Sequence, residues 1–301
     1  MKKNPCLIAI FMLIFTWSNN IHAKQILFTS WNLEWLTNNP QNDIAASKRT
    51  TDDFLKLAEQ INRIRPDILA FQEVDNNETL KQIINSHYKI YLSDRNKLTN
   101  RHLQFDDINQ YTGFAVSDKW EISDPEDVLL SPGKKLRFAS YIILHHPSMS
   151  SIHLLSVHLK AGCRGKNSHS YSCKQLKEQG NYLNVWIRKR LSLNQHFIIL
   201  GDFNHNLAYP EDWFWKEIIQ GTEIRSKPQV ILATRHSTAD CLVRSKKKPG
   251  EIYRYPYLID HIVTSSGMTH SQPIQNLYTK EQVLRYTLSD HCPLSMSIEV
   301  N

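Results

Sequence analysis

The chain has 301 residues, 41% of them hydrophobic and 22% charged, and a formal net charge of +7. No internal repeat, Gly/Ser linker or low-complexity tract divides it, which excludes a repeat array and leaves one large domain as the expectation. The mild basic excess favours anionic partners such as nucleic acid or an anionic membrane, and identifies neither.

Met1-Lys2-Lys3 is a positive n-region, and Leu7 to Trp17 is an apolar stretch too short to span a bilayer core of about 30 Å. Ile21-His22-Ala23 ends in a small residue suited to signal-peptidase cleavage. Residues 1–23 are therefore expected to be a signal peptide, with residues 24–301 as the mature domain. Losing Lys2 and Lys3 would take the formal charge from +7 to +5. No second long apolar stretch follows, so a soluble, exported protein is expected, periplasmic or secreted. A monomer is expected.

In chain order, Gln25 to Asn32 reads as a first strand. Phe54, Leu57, Ala58, Ile61 and Ile64 recur at helical spacing after the capping candidates Thr50 and Thr51, and Pro66 ends that helix. Ile68 to Phe71 is a buried strand running into Gln72-Glu73. Leu80, Ile83 and Ile84 predict a short helix, and Tyr88 to Asp107 a polar surface loop. Tyr111 to Ser117, Phe138 to His145 and Ile152 to Leu159 read as strands. In the last of these, Ile152, Leu154, Ser156 and His158 share one face. Leu176, Leu183, Trp186, Ile187 and Leu191 predict an amphipathic helix. His196 to Leu200 is a buried strand followed by Gly201-Asp202-Phe203-Asn204, where the glycine is expected to let the backbone turn sharply. Tyr257 to Thr264 and Leu294 to Val300 are the late strands. Strands outnumber helices and few strand–helix–strand units are clean. That points to stacked mixed sheets with helices outside.

Four cysteines follow the leader: Cys163, Cys173, Cys241 and Cys292. An even count in an exported chain predicts two disulfides, with three pairings open. Cys163–Cys173, closing a short polar loop, and Cys241–Cys292 are the expected pair. Cys-x-x-Cys spacing is absent, which argues against a cysteine zinc site.

The strands share a habit of ending in polar residues with chemistry. One ends at Trp31-Asn32-Leu33-Glu34, and others at Glu73, at His158, and at Asp202 with Asn204. Asp260 lies on a late strand, and Ser289-Asp290-His291 precedes the last. Carboxylates and amide oxygens suit a hard ion such as Mg²⁺ or Mn²⁺. Histidines can donate to phosphate oxygens or carry protons. An Asp paired with a His fixes its tautomer and raises its basicity. Together these groups can attack a phosphodiester with water.

The order Trp-Asn-Leu-Glu, Gln-Glu-Val, Ser-Val-His-Leu, Gly-Asp-Phe-Asn, Ile-Asp-His-Ile and Ser-Asp-His resembles the exonuclease–endonuclease–phosphatase superfamily, the fold of deoxyribonuclease I. The resemblance spans nearly the whole mature chain. It implies an α+β four-layer sandwich, two mixed sheets face to face with flanking helices. It implies a divalent metal, Mg²⁺ or Mn²⁺, on Asn32 and Glu73 with Asp290 close by. Asp202 would orient or deprotonate the attacking water, with Asn204 beside it at the phosphate. His158 would bind phosphate, and His291 would be the catalytic histidine held by Asp260. Tyr111 and Arg137 would contact the phosphate. His261 is left structural.

The expected activity is a secreted, metal-dependent phosphodiesterase acting by in-line attack of an activated water. DNA is the first substrate, then RNA. Arg244-Ser245-Lys246-Lys247-Lys248 followed by Tyr253, Arg254, Tyr255 and Tyr257 could track a backbone and stack bases, or be a solvated loop. The alternative substrate is a membrane lipid, as in a sphingomyelinase, or a small phosphodiester. For the lipid, Trp213, Phe214 and Trp215 could insert at a surface. The same three residues could equally be a helix packing into the core. The intact set of polar candidates argues against a non-catalytic binding module.

Overall fold

Residues 24–300 are described by a computed structural model, apart from Lys246, Lys247 and Pro249. The signal-peptide expectation and the two central lysines of the basic stretch lie outside the described residues. The chain opens with β1 (Lys24–Leu36), α1 (Thr51–Ile64), β2 (Ile68–Val74), α2 (Asn77–Leu80), β3 (Tyr88–Leu92) and β4 (Tyr111–Ser117). It continues through β5 (Glu121–Ser123), β6 (Ser140–His146), β7 (Met149–His158), α3 (Tyr171–Ser192), β8 (His196–Asp202) and α4 (Trp213–Ile219). The last third holds β9 (Val230–Leu232), β10 (Leu242–Arg244), β11 (Ile252–Arg254), β12 (Asp260–Ser265), β13 (Ile274–Gln275), α5 (Lys280–Arg285) and β14 (Leu294–Val300).

Two six-stranded sheets form, in the orders β13-β14-β1-β2-β4-β3 and β5-β6-β7-β8-β12-β9, and β10–β11 is a separate hairpin. Both sheets are mixed. β1–β2 and β7–β8 run parallel and the other pairs antiparallel. Their central strands read as continuous apolar runs because both faces are covered. In β8, Ile198 and Leu200 point into the layer between the sheets, whereas Phe197 and Ile199 point outward under α3 and α4. In the other sheet, Ile26, Phe28 and Phe114 point inward, while Trp31, Leu69 and Phe71 face α1. The result is the expected four-layer α+β sandwich. Each large buried side chain contributes about 1.5–3 kcal/mol. The shared inner layer thus fixes one sheet against the other and sets the gap between their polar edges.

α1 starts where Thr50 caps Asp53 reciprocally, and ends at Arg65 in the left-handed region just before Pro66. α4 buries Phe214 and Trp215 against α3. The Trp213-Phe214-Trp215 run is therefore a core helix, and the feature that favoured a lipid surface is absent from the exterior.

Several expectations need correction. The predicted loop from Tyr88 to Asp107 contains the edge strand β3 and two 3-10 turns. Tyr88, Ile90 and Leu92 alternate with Lys89 and Tyr91, and the polar flanks mask that period of two. β1 runs on to Leu36 past a bulge. Glu34 and Trp35 adopt positive φ (41° and 53°), and pairing with β2 resumes at Leu36. Gly201 lies inside β8, paired with Val157 and His261, and makes no turn there. A Cβ at Gly201 would sit 2.0 Å from the Val157 carbonyl oxygen. Close backbone approach, not a turn, is what requires glycine. Arg244, the first residue of the basic stretch, is committed elsewhere: its guanidinium donates to the carbonyls of Val283, Leu284 and Tyr286, so it closes the end of α5.

Candidate active site

Strand register brings the site together. His158 on β7 pairs with Asp202 on β8, and Asp202 pairs with Asp260 on β12, so the three share one row across the second sheet. In the first sheet, Asn32 pairs with Gln72, which places Glu73 beside it. The Ser289-Asp290-His291 turn docks on β1. Ser289 Oγ donates to the Asn32 carbonyl at 2.6 Å, Asp290 N–H to Glu34 Oε2 at 2.8 Å, and Trp31 Nε1 to the His291 carbonyl at 3.1 Å. A cavity of about 410 Å³ opens over these edges, lined among others by Glu73, Arg137, His158, Asp202, Asp260 and His291. Asn204 and Asp290 also line it.

Asp202 is the most enclosed acid. It accepts Asn204 N–H at 2.7 Å and the side-chain amides of Asn32 and Asn204, each at 3.1 Å. Asn204 holds positive φ (51°), which an Asx turn onto Asp202 tolerates. Burial pushes the Asp202 carboxyl up to about 7, with His291 pulling it down and Asp260 pushing it further up. That range suits a group that accepts a proton near neutrality.

His291 Nδ1 lies 2.7 Å from Asp260 Oδ2, and its Nε2 faces Asp202 Oδ2 at 3.8 Å. Burial opposes charge on the ring. Asp260, Asp202 and Asp290 outweigh it and hold the pKa well above the ordinary histidine value. His291 is thus an imidazolium anchored by Asp260, aimed at the cavity.

His158 behaves in the opposite way. It is buried, with Arg137 Nη2 2.6 Å from its Nε2 and Arg137 Nε donating to Nδ1 at 3.1 Å. Burial, Arg137 and His291 hold it well below the ordinary value, so it is neutral. Of the residues lining the cavity, Arg137, Arg164 and the His291 imidazolium therefore carry positive charge, and His158 does not.

Glu73, next to last in β2, has φ 59°, a strained value for a glutamate and of the kind that clusters at functional sites. Its carboxylate accepts Trp35 N–H at 3.1 Å and Gln110 Nε2 at 2.5 Å. Asn32 departs from the expected ligand role. Its oxygen accepts the Glu34 backbone N–H at 3.0 Å, which can only donate, so its nitrogen faces Glu73 and Asp202. Asn32 organises the carboxylates. Tyr111 also departs: it is buried, with the Arg95 guanidinium 5.5 Å over its ring, and it does not line the cavity. Its neighbour Gln110 does.

Among the described residues no group of three or more His, Cys, Asp or Glu is drawn together as a metal cage. Glu73 and Asp290 offer two carboxylates to one cavity. Mg²⁺ is commonly held by one or two carboxylates while keeping waters, so this donor set fits a hard divalent cation. When bound, such an ion supplies Lewis-acid stabilisation of phosphoryl oxygens.

Cys163 bonds Cys173 and Cys241 bonds Cys292, the expected pairing. The second bond fixes the residue after His291. The first closes a loop whose Arg164 reaches the cavity rim. Sequence reasoning missed Trp35, Gln110, Arg164 and His205. The only signal for His205 was its place after Gly-Asp-Phe-Asn. Its ring lies 2.7 Å from Asp212 Oδ2 and 2.9 Å from the Cys163 carbonyl, so it positions the Cys163 loop.

His261 is structural, as expected. Leu207 N–H donates to its Nε2 at 3.1 Å, so Nδ1 carries the proton toward Thr234 Oγ1, 2.8 Å away. Burial pushes its pKa down to about 3. The unfolded chain takes up this proton near 6.5. The group's stabilisation is full above that pH and is lost as pH falls toward 3. The stability advantage of wild type over His261→Gln is expected to shrink by about 2 kcal/mol between pH 7.5 and pH 5. Denaturant unfolding at both pH values checks this, and a pH-independent difference contradicts it.

A model of the endonuclease/exonuclease/phosphatase family matches residues 29–291. Among curated proteins, none matches in sequence. Solved structures share the fold. An endonuclease/exonuclease/phosphatase from Bacteroides vulgatus superposes with TM-score 0.65 at 13% identity, covering 92% of this chain and 100% of that one. TDP2 from Caenorhabditis elegans gives 0.61 at 16%, covering 92% and 75%. A mannosyl-6-phosphatase from Bacteroides thetaiotaomicron gives 0.61 at 14%, covering 91% and 99%. The chain belongs to the endonuclease/exonuclease/phosphatase family, divalent-metal-dependent enzymes that hydrolyse phosphate esters.

Proposed function

We propose that the chain is an exported, Mg²⁺- or Mn²⁺-dependent phosphodiesterase that hydrolyses nucleic acid, DNA first. One observation carries the reading: Asp202, His291 held by Asp260, and Glu73 converge on a single cavity that also holds Arg137. Asp202 and Asn204 position the attacking water, and Asp202 accepts its proton. Arg137 and the His291 imidazolium stabilise the charge building on the non-bridging oxygens. Neutral His158 holds Arg137 in place. Glu73 and Asp290 would hold the cation.

Nucleic acid is favoured over lipid because Trp35, Tyr255 and Tyr257 line the cavity, where rings can stack on bases, whereas the Trp213–Trp215 run is a core helix. Export is supported by two disulfides and by the absence, among the described residues, of any helix long and apolar enough to cross a membrane. Cleavage after Ala23 would release residues 24–301 as the catalytic domain.

Incubating that mature chain with plasmid DNA and with sphingomyelin vesicles, each with Mg²⁺ and with EDTA, tests the reading. Metal-dependent cutting of DNA with intact lipid is expected. Cleaved lipid beside intact DNA overturns the nucleic-acid assignment.

A further inference from the structure

A second cavity, of about 570 Å³, adjoins the catalytic one, and Glu34, Trp35 and Asp290 line both. The two hollows meet along this ridge, next to Glu73, which accepts the Trp35 backbone N–H. The ridge is built to stay put. Glu34 and Trp35 both hold positive φ. Arg49 locks that bulge by donating to the carbonyls of Leu33 (2.9 Å), Trp35 (3.2 Å), Thr287 (3.1 Å) and Leu288 (3.1 Å). Strained backbone of this kind persists only where its surroundings over-determine it.

Beyond the ridge the walls are mostly apolar: Ile44, Ala45, Ala46, Val283, Tyr286 and Leu288. Arg244 also lines this cavity, but its guanidinium is committed to backbone carbonyls. Among the described residues the other charges there, Glu34, Asp43 and Asp290, are negative. The hollow is therefore unsuited to a second phosphate and suited to an uncharged ring.

A phosphate monoester carries one organic arm, and a diester carries two on the same phosphorus. A monoester site needs one hollow beside the reacting centre. Here two flank it and share one wall. We propose that the second cavity is a subsite for the second ester arm of a phosphodiester, taken as a planar ring laid against Trp35. This rests on the phosphodiesterase reading above and adds where the two arms go.

Ala46 is half-buried, lines this cavity and does not line the catalytic one, so Ala46→Trp fills the subsite. The probes are bis(p-nitrophenyl) phosphate, with two rings, and methyl p-nitrophenyl phosphate, with the same leaving group and one ring. Wild type is expected to prefer the two-ring ester. Ala46→Trp is expected to lower its kcat/KM for that ester by about tenfold or more, mainly through KM, and to leave the methyl ester unchanged. Ala46→Leu is expected to give a smaller loss of the same selectivity, and serves if the tryptophan variant does not fold. Loss of neither ester's turnover, or equal loss of both, overturns the subsite while leaving the phosphodiesterase reading in place. If wild type turns over neither ester and no DNA, the underlying reading itself has failed.

Discussion

Asp202→Ala is expected to lower phosphodiester turnover by about 10²–10⁴-fold, the usual worth of a positioned general base, without unfolding the chain. The carboxylate is buried in the row His158–Asp202–Asp260, and its pKa is pushed up to about 7 by that burial. Its two oxygens face Asn32, Asn204 and the His291 ring. Removing it takes away the group placed to accept a proton from the attacking water. Removal also relieves a buried charge, which offsets the unpaired Asn204 N–H at about 1–3 kcal/mol. Asp202→Asn keeps the shape and loses the charge, so it is expected to be as inactive. Rates on a phosphodiester, with circular dichroism to confirm folding, check both variants. Full activity of folded Asp202→Ala would remove Asp202 from the chemistry.

Gly201→Ala is expected to be the most damaging single-methyl change in the chain. The new Cβ would lie 2.0 Å from the Val157 carbonyl oxygen and 2.9 Å from its carbonyl carbon, at a φ of +147° that side chains rarely adopt. The obstacle is backbone, so no rotamer change relieves it. Gly201 pairs on one side with Val157 and on the other with His261, so moving it opens the centre of the second sheet. The cost is expected to exceed about 4 kcal/mol, a large part of a typical domain stability of about 5–15 kcal/mol. A fall in Tm of about 10 °C or more follows, or loss of soluble protein. Gly221→Ala is the control. It has positive φ (67°) but nothing within 4 Å of the new Cβ, so a loss near ~1 kcal/mol is expected. Equal Tm values for the two variants would show that the close approach at Gly201 does not matter.

Much of this architecture is legible in the sequence because burial leaves a pattern. β2, β4, β8 and β14 are apolar runs or alternations whose ends could be placed to within a few residues. The catalytic row was legible because Asp202, His158 and Asp260 each end or begin such a strand. Short elements were not: β5, β9, β10, β11 and β13 have two or three residues each, too few to show a period. Residue types also could not show orientation. The resemblance makes Asn32 a metal ligand, whereas the Glu34 N–H takes its amide oxygen and leaves its nitrogen toward Glu73 and Asp202. The resemblance offers Tyr111 as a phosphate contact, but as the first residue of β4 it is buried under the Arg95 guanidinium, and Gln110 before it lines the cavity. Trp35 carried no signal, because its position depends on a bulge that Arg49 holds from another part of the chain.

The most direct test of the central claim is the Mg²⁺ dependence of plasmid cleavage by the purified mature chain. Nicking that is absent in EDTA, returns as Mg²⁺ is added, and is lost in folded Asp202→Ala is the expected result. Cleavage that persists in EDTA, or that Asp202→Ala retains in full, would contradict a metal-dependent phosphodiesterase centred on this cavity.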